Sequence, residues 1–305
     1  MSDGGVARIV AVEEAELTAL SVLWSQFWSE GSPGACTDTF PPAVQSTIAG
    51  RWASLLRQSG GGSVLDIACG RGAVMAYAMA ARRTPVVGVD YAAPDALRRT
   101  GFDIRGGVDA TALPFADRSY DTVTSQFGME YAGLLAGVAE ASRVARADVL
   151  LLLHAAEGAV VRHSREQVAQ CHWVAGELAA FRVLSAHAAS RTSGSAAAAR
   201  DLARAIRRRA AEAENHSLLG GFAELVDALA SDPALADVAT LEAGWSAHAA
   251  RLSELSRVAP DRARTDQAAR ALVDAGFTVE QRDERSGGDL VGRWIIASRK
   301  EGVSQ

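Results

Sequence analysis

Lysine is almost missing from this chain of 305 residues: Lys300 is the single example, and arginine supplies the rest of the positive charge. That skew reflects composition rather than phosphate recognition, because 31 basic residues face 36 acidic ones, a formal net charge of −5. A chain of that sign is a poor general binder of nucleic acid or of an anionic membrane surface. Cysteine is scarce too. Cys36, Cys69 and Cys171 are too few and too scattered for a disulfide framework or a Cys-x-x-Cys metal site. No His, Cys or carboxylate group has metal-ligand spacing, and neither a Gly-x-Ser-x-Gly elbow nor a Walker loop occurs. Long apolar runs are absent as well. Val149–Leu153, and even the longer run Ala73–Ala81, are far short of the ~20 residues that a membrane span needs. Residues 1–12 lack the basic start and apolar run of a signal peptide. The expectation is a cytoplasmic protein with no metal, no membrane and no nucleic-acid partner; a homodimer stays open.

What is present is a core: 49% of the residues are hydrophobic, enough for one large core or two modest ones. One stretch organises it, Val64-Leu65-Asp66-Ile67-Ala68-Cys69-Gly70-Arg71-Gly72. Val64 to Ile67 reads as a buried strand, preceded by the breaker run Gly60-Gly61-Gly62. Ala68, Gly70 and Gly72 make a turn whose backbone can approach a ligand closely. Ala73 to Ala81 then reads as a nearly polar-free helix packed on a sheet. A strand, a small-residue turn and a helix start form a nucleotide-type corner. A dinucleotide fingerprint would need a third glycine where Met75 stands, too bulky for close helix–strand contact.

The spacing Asp-x-Ala-x-Gly-x-Gly resembles the first motif of the class I S-adenosylmethionine (SAM) methyltransferases, with Ala68 where a first glycine is usual. That resemblance implies a Rossmann-like, doubly wound α/β sheet, mostly parallel, closed by a C-terminal antiparallel hairpin, with SAM as cofactor. Val86-Val87-Gly88-Val89-Asp90 reads as a second strand, apolar throughout as a parallel strand buried on both faces should be. Asp90 at its end is placed to accept from two ribose hydroxyls, with Tyr91 beside it. Phe102–Val108 is a third strand candidate. The stretch Asp109-Ala110 after it resembles the family's adenine-recognition segment. Ser119–Ser125 is the fourth strand; Asp121 at its start is read as positioning loops rather than touching SAM. Gln126 at its C-terminal end completes the cofactor set of Asp66, Ala68, Gly70, Gly72, Asp90, Tyr91, Asp109 and Ala110. After the helix Leu134–Ala145, Val149–Leu153 is the fifth strand, ending at His154.

Residues 157–261 read as an alanine- and arginine-rich helical insertion, or cap, after strand five. In it, helices are expected after Ser195 and from Pro233, and Arg207-Arg208-Arg209 is expected on a solvated face. The helix Thr265–Ala275, stopped by Gly276, and strands Phe277–Arg282 and Arg293–Ser298 return the chain to the core. Residues 59–156 and 262–305 thus make the SAM-binding core, and 1–58 supply N-terminal helices, as in many methyltransferases where such helices close over the ligand. Glu13–Ser29 reads as one of these, with Leu17, Leu20, Trp24, Phe27 and Trp28 on one face. That face either packs on the body of the domain or lids a flat apolar substrate.

The cofactor would carry the reactive methyl, and the protein need only align it with the acceptor. Where the acceptor has a proton to lose, His154 is the candidate base; its alternative is a histidine that hydrogen-bonds without titrating. Glu130 and Tyr131, with Trp24 and Trp28, are the candidate substrate contacts. The leading reading is a methyltransferase acting on O, N or C of a small-molecule acceptor, a metabolite or natural-product intermediate. Its rivals are a protein of the same fold that binds SAM without transfer, as sensor or scaffold, and a methyltransferase acting on RNA or protein. An Asn/Asp-Pro-Pro-Tyr tetrapeptide, common in enzymes that methylate planar exocyclic amines, is replaced after strand four by Ser125-Gln126-Phe127-Gly128.

Overall fold

The computed structural model describes residues 20–29, 40–99 and 101–299. The first turns of the Glu13 helix, and Cys36, lie outside the described residues. The chain divides into two compact units, one of Met1–Ala159 with Val258–Gln305, the other of Val160–Arg257.

The first unit is built on a seven-stranded sheet. Along the chain it holds a helix over 20–29 (α1), α2 (Pro42–Gln58), β1 (Val64–Ile67), α3 (Ala73–Ala80), β2 (Val86–Val89), α4 (Pro94–Leu97), β3 (Asp103–Arg105) and β4 (Tyr120–Gln126). A 3-10 turn (Met129–Ala132), α5 (Leu134–Val144) and β5 (Ala145–Leu153) follow. The strand order is β3-β2-β1-β4-β5-β7-β6, where β6 (Thr278–Ser286) and β7 (Asp289–Ser298) come from the far end of the chain. Strands β1 to β5 pair in parallel, while β7 runs antiparallel to β5 and β6. This is the expected doubly wound sheet with its closing hairpin.

Alternation along the buried strands explains the layers. Leu151, Leu153, Ile295 and Ala297 join Val138 and Ala141 of α5 and Ala268 and Leu272 of a helix over Arg262–Asp274 in one core. Leu152 and Trp294, one residue out of phase, face the other way, and Trp294 meets Trp52 of α2 edge-on at 4.9 Å. Arg83, buried, ties α2 to the sheet: it donates to the carbonyls of Leu56, Ser59 and Gly62 and to the Thr122 hydroxyl. Asp121 holds the start of β4 as expected, accepting from the backbone and hydroxyl of Ser63 and pairing with Arg146. Burial alone would raise its carboxyl; the bonds from Ser63 and Arg146 outweigh that and hold it below the usual range.

Several boundaries differ from the sequence expectation. Strand β5 begins at Ala145, four residues early, because Ala145 is also the last cap of α5 and no loop intervenes. Strand β3 shrinks to three residues: Gly106 and Gly107 break it, and the Val108 amide turns back to the Asp90 carbonyl. The hairpin strands are longer than expected, turned by Gly287 and Gly288 at φ +58° and +93°. The preceding helix starts at Arg262, where the Asp261 carboxylate accepts from the Arg264 amide.

The second unit is helical: α6 (Ala159–His172), a π turn (Trp173–Glu177), α7 (Ala180–Ser190), α8 (Ser193–Glu212), α9 (Ser217–Ser231) and α10 (Val238–Val258), so the helix over Arg262–Asp274 is α11. Phe181, Leu184, Leu202, Ile206, Phe222 and Val226 form its core, with Trp245 packed on the two phenylalanines. Helix α8 starts at Ser193, two residues before the expected Ser195, because Thr192 and Ser195 form a reciprocal capping box. Helix α10 starts at Val238 rather than near Pro233; Asp237 accepts from the Thr240 amide there. The three arginines expected on a solvated face are exposed; Arg207 also pairs with Asp227, and Arg209 stacks on Trp173.

Candidate active site

In a parallel sheet the C-terminal strand ends share one edge, and ligands of open α/β folds bind there. The turn after β1 is wound through the left-handed region: Ala68, Gly70 and Gly72 have φ +53°, +51° and +83°. Glycine takes such angles freely and alanine only at some cost. The turn is held by Asp90, the buried residue just past β2. One of its oxygens accepts from the Gly70 amide at 2.8 Å, the other from the Ala92 amide at 2.9 Å. Burial raises the Asp90 carboxyl above the usual range, against the pull of these amide bonds. Asp66 is fully buried and accepts from the Thr124 hydroxyl at 2.8 Å. Desolvation lifts it to about 7, the Thr124 bond opposing and the Asp90 charge adding. The Cys69 thiol beside them is pushed up by burial and is inert packing.

Asp109 and Ala110 follow β3. One Asp109 oxygen closes its own turn, accepting from the Thr111 amide (2.7 Å) and hydroxyl (2.8 Å), and Ala110 is buried beside it. Tyr91 lies in the loop after β2, where its carbonyl accepts from Ser21 of α1; one turn along, Ser25 accepts from the Ala93 amide. Helix α1 is thereby fastened to the loop that carries Asp90. Trp28, placed with the substrate contacts on sequence, stands against Gly70, so that a Cβ at Gly70 would run into its indole. Ala92 and Leu97 complete its packing. Trp24, one turn earlier and about 6 Å back along the axis, meets Tyr131 at 5.0 Å. One aromatic face thus spans two neighbouring places, and its Trp24 end reaches Tyr131.

The other half of the site follows β4 and β5, which are sheet neighbours. Gln126, expected at the cofactor, accepts from the Trp52 indole at 2.5 Å. Phe127 takes φ +54°, donates its amide to the Leu152 carbonyl, and turns the chain over Ala68; Gly128 follows because a Cβ there would lie 2.5 Å from that of Ala68. The 3-10 turn then delivers Glu130 inward. Its Oε1 accepts from the His154 amide at 2.8 Å and meets His154 Nδ1 at 2.7 Å. Both side chains are buried. Glu130, expected to touch substrate, is therefore engaged with the candidate base. A neutral ring that donates Nδ1–H to Oε1 has Nε2 as its acceptor nitrogen. Nε2 and the Glu130 Oε2 are both buried and without a hydrogen-bond partner among the described residues. The Phe127 ring lies 4.4 Å from that of His154, tilted by 31°, and Tyr131 stands edge-on at 6.4 Å. Phe127, missed by sequence reasoning, carried no signal beyond its place after β4.

Residues 65–153 match the family described as the methyltransferase domain. Over this stretch the chain is similar to the SAM-dependent methyltransferases. SAM is the cofactor of that domain. No curated protein matches the chain at a significant level. Among solved structures it resembles the [4+2]-cyclase SpnF, at 20% identity over 35% of this chain and 44% of the cyclase, TM-score 0.31. It resembles a SAM-dependent methyltransferase from Mesorhizobium loti at 17% identity over 39% of this chain and 56% of the other, TM-score 0.32. A possible histamine N-methyltransferase from Thermotoga maritima is 11% identical over 85% of this chain and 92% of the other, TM-score 0.42. The chain spans about half the length of the first two. Among the described residues no helix is long and apolar enough to cross a membrane, and no cluster of His, Cys, Asp or Glu could hold a metal ion.

Proposed function

We propose that the protein transfers a methyl group from SAM to O, N or C of a small-molecule acceptor, and that His154 takes the acceptor's proton where there is one to lose. The observation that carries this reading is the buried pair at the ligand edge: Glu130 fixes His154 through Nδ1 and leaves Nε2 bare. A third group that orients a base is the usual mark of general base chemistry.

The cofactor-binding assignment rests on fit. Asp90 has two carboxylate oxygens, each occupied by one amide, and each can accept again from a ribose hydroxyl. Ala68, Gly70 and Gly72 give the turn the left-handed backbone that can approach the methionine part, and Ala110 offers a small, buried neighbour for adenine next to the Asp109 carboxylate. When bound, SAM supplies an electrophilic methyl group for in-line displacement. The chain's own work is to align the acceptor with that methyl, to exclude water, and to hold the proton on Nε2. Alignment alone can lower such a barrier by roughly 7–11 kcal/mol in ideal cases.

Titration calorimetry of the full chain with S-adenosylhomocysteine tests the binding half. Binding in the wild type and its loss in Gly70→Val is the expected result, because the valine side chain would meet Trp28 and a left-handed φ together. Wild-type affinity in a folded Gly70→Val protein would sink the assignment of this corner.

A further inference from the structure

The surroundings of His154 restrict what can be methylated there. We propose that the acceptor is a neutral, flat hydroxyl compound, a phenol or a ring enol, whose O–H donates to His154 Nε2. This rests on the reading of His154 as the proton acceptor and narrows it.

The first argument is shape. The imidazole is flanked by Phe127 and Tyr131, at 4.4 and 6.4 Å. Each of these is backed by another ring: Phe40 stands edge-on to Phe127 at 6.1 Å, and Trp24 edge-on to Tyr131 at 5.0 Å. A wall of ring faces and edges favours a planar partner, which stacks or sits edge-on with little loss of freedom.

The second argument is charge. Glu130 is the charged side chain paired with the His154 ring. A hydroxyl acceptor enters neutral and leaves neutral as an ether. Its O–H proton passes to Nε2 as the oxygen lone pair forms the new O–C bond. The old S–C bond breaks with its electron pair going to sulfur, which becomes the thioether of S-adenosylhomocysteine. One positive charge remains, on His154, and the Glu130 carboxylate 2.7 Å from Nδ1 balances it. An ammonium acceptor would bring a second cation into the same buried space before and after the step, without a second carboxylate to match it. A neutral amine would need no base, and a carboxylate acceptor would need none and would face Glu130.

The bare Nε2 is the third argument. A buried acceptor nitrogen without a partner is costly, and a hydroxyl donor satisfies it.

The test uses the full chain saturated with S-adenosylhomocysteine and titrated with 2-naphthol, naphthalene and phenethylammonium. Naphthol should bind at least ten-fold more tightly than the other two. His154→Gln, which keeps a donor for Glu130, should bring naphthol down to the level of naphthalene while S-adenosylhomocysteine affinity and the circular dichroism spectrum stay unchanged. Equal binding of phenethylammonium, a naphthol preference that survives His154→Gln, or no binding of naphthol would each overturn the hydroxyl assignment. A wild-type chain that folds but fails to bind S-adenosylhomocysteine would instead overturn the methyltransferase reading beneath it.

Discussion

Each unit of this protein buries one histidine whose Nδ1 is engaged and whose Nε2 has no partner, and the two could hardly be placed more differently. His154 ends a central strand and faces the carboxylate of Glu130. His187 sits in α7 and meets, at 2.8 Å, the hydroxyl of Ser195, which already belongs to the capping box that starts α8. Burial and an orphan nitrogen are therefore shared and cannot by themselves mark a base. What separates the two is the partner. An anion stabilises the imidazolium that forms when Nε2 takes a proton; a hydroxyl fixed by a helix cap offers no such gain. The same contrast holds for the units as wholes: the sheet unit buries Asp66, Asp90, Glu130, Arg83 and Arg293, whereas the described buried polar side chains of the helical unit are Ser164, Gln170 and His187.

The contrast breaks most directly at His154. His154→Ala should lower turnover by ~10²–10⁴-fold while affinity for S-adenosylhomocysteine stays near wild type. A pH–rate profile should show an ascending limb in the wild type that vanishes in the variant. Glu130→Gln should keep the histidine but cost part of that factor, because a neutral amide cannot balance the imidazolium. Full activity of His154→Ala would leave alignment as the whole mechanism and make the two histidines equivalent.

A second test concerns the buried acids. The Asp66 carboxyl titrates near 7 in the fold against an ordinary 3.8. Between those values the folded chain keeps a proton that the unfolded chain has released, so stability falls as pH rises through that window and is level above it. The full effect is roughly 4 kcal/mol. Asp66→Asn cannot release a proton, so the gap between wild type and variant should move against the wild type from pH 4 to pH 7. Denaturant midpoints of the cofactor-free proteins measure it. Parallel pH curves would show that Asp66 is not held protonated.

Much of the sheet unit was legible because its signals are local. Strand β2 is free of polar side chains, β1 is apolar but for Asp66, and β5 ends in the apolar run Val149–Leu153, while the small residues 68, 70 and 72 sit where the backbone turns left-handed. The Glu130–His154 contact was not legible as a pair: the residues lie 24 apart, and only the adjacency of β4 and β5 brings them together. The neighbours of Trp28 were not legible for a related reason. Helical spacing shows that Trp24 and Trp28 share a face, but not that one turn of helix separates two different neighbours.

Asp90 gives a smaller effect than either. Asp90→Ala would strip the Gly70 and Ala92 amides of their acceptor as well as removing the ribose contacts. A loss of roughly 1–3 kcal/mol follows for each unsatisfied buried group, so affinity for S-adenosylhomocysteine should fall by about ten-fold or more, with a measurable drop in melting temperature. Calorimetry showing unchanged affinity in a folded Asp90→Ala protein would remove the ribose assignment.

The smallest effect is expected at His187, and it is the control that gives the comparison its meaning. Leucine is close to histidine in volume and brings no polar atom. His187→Leu removes one hydrogen bond to Ser195, worth about 1 kcal/mol net, and at the same time removes a buried nitrogen that has no partner. Ser195 keeps its bonds to Thr192 through the capping box, so α8 retains its start. The two changes oppose each other, and stability should stay within roughly 1 kcal/mol of wild type. Turnover and the pH–rate profile should not move at all. A hundred-fold loss of turnover in a folded His187→Leu protein would show that a hydroxyl partner suffices, and the distinction drawn from Glu130 would fail.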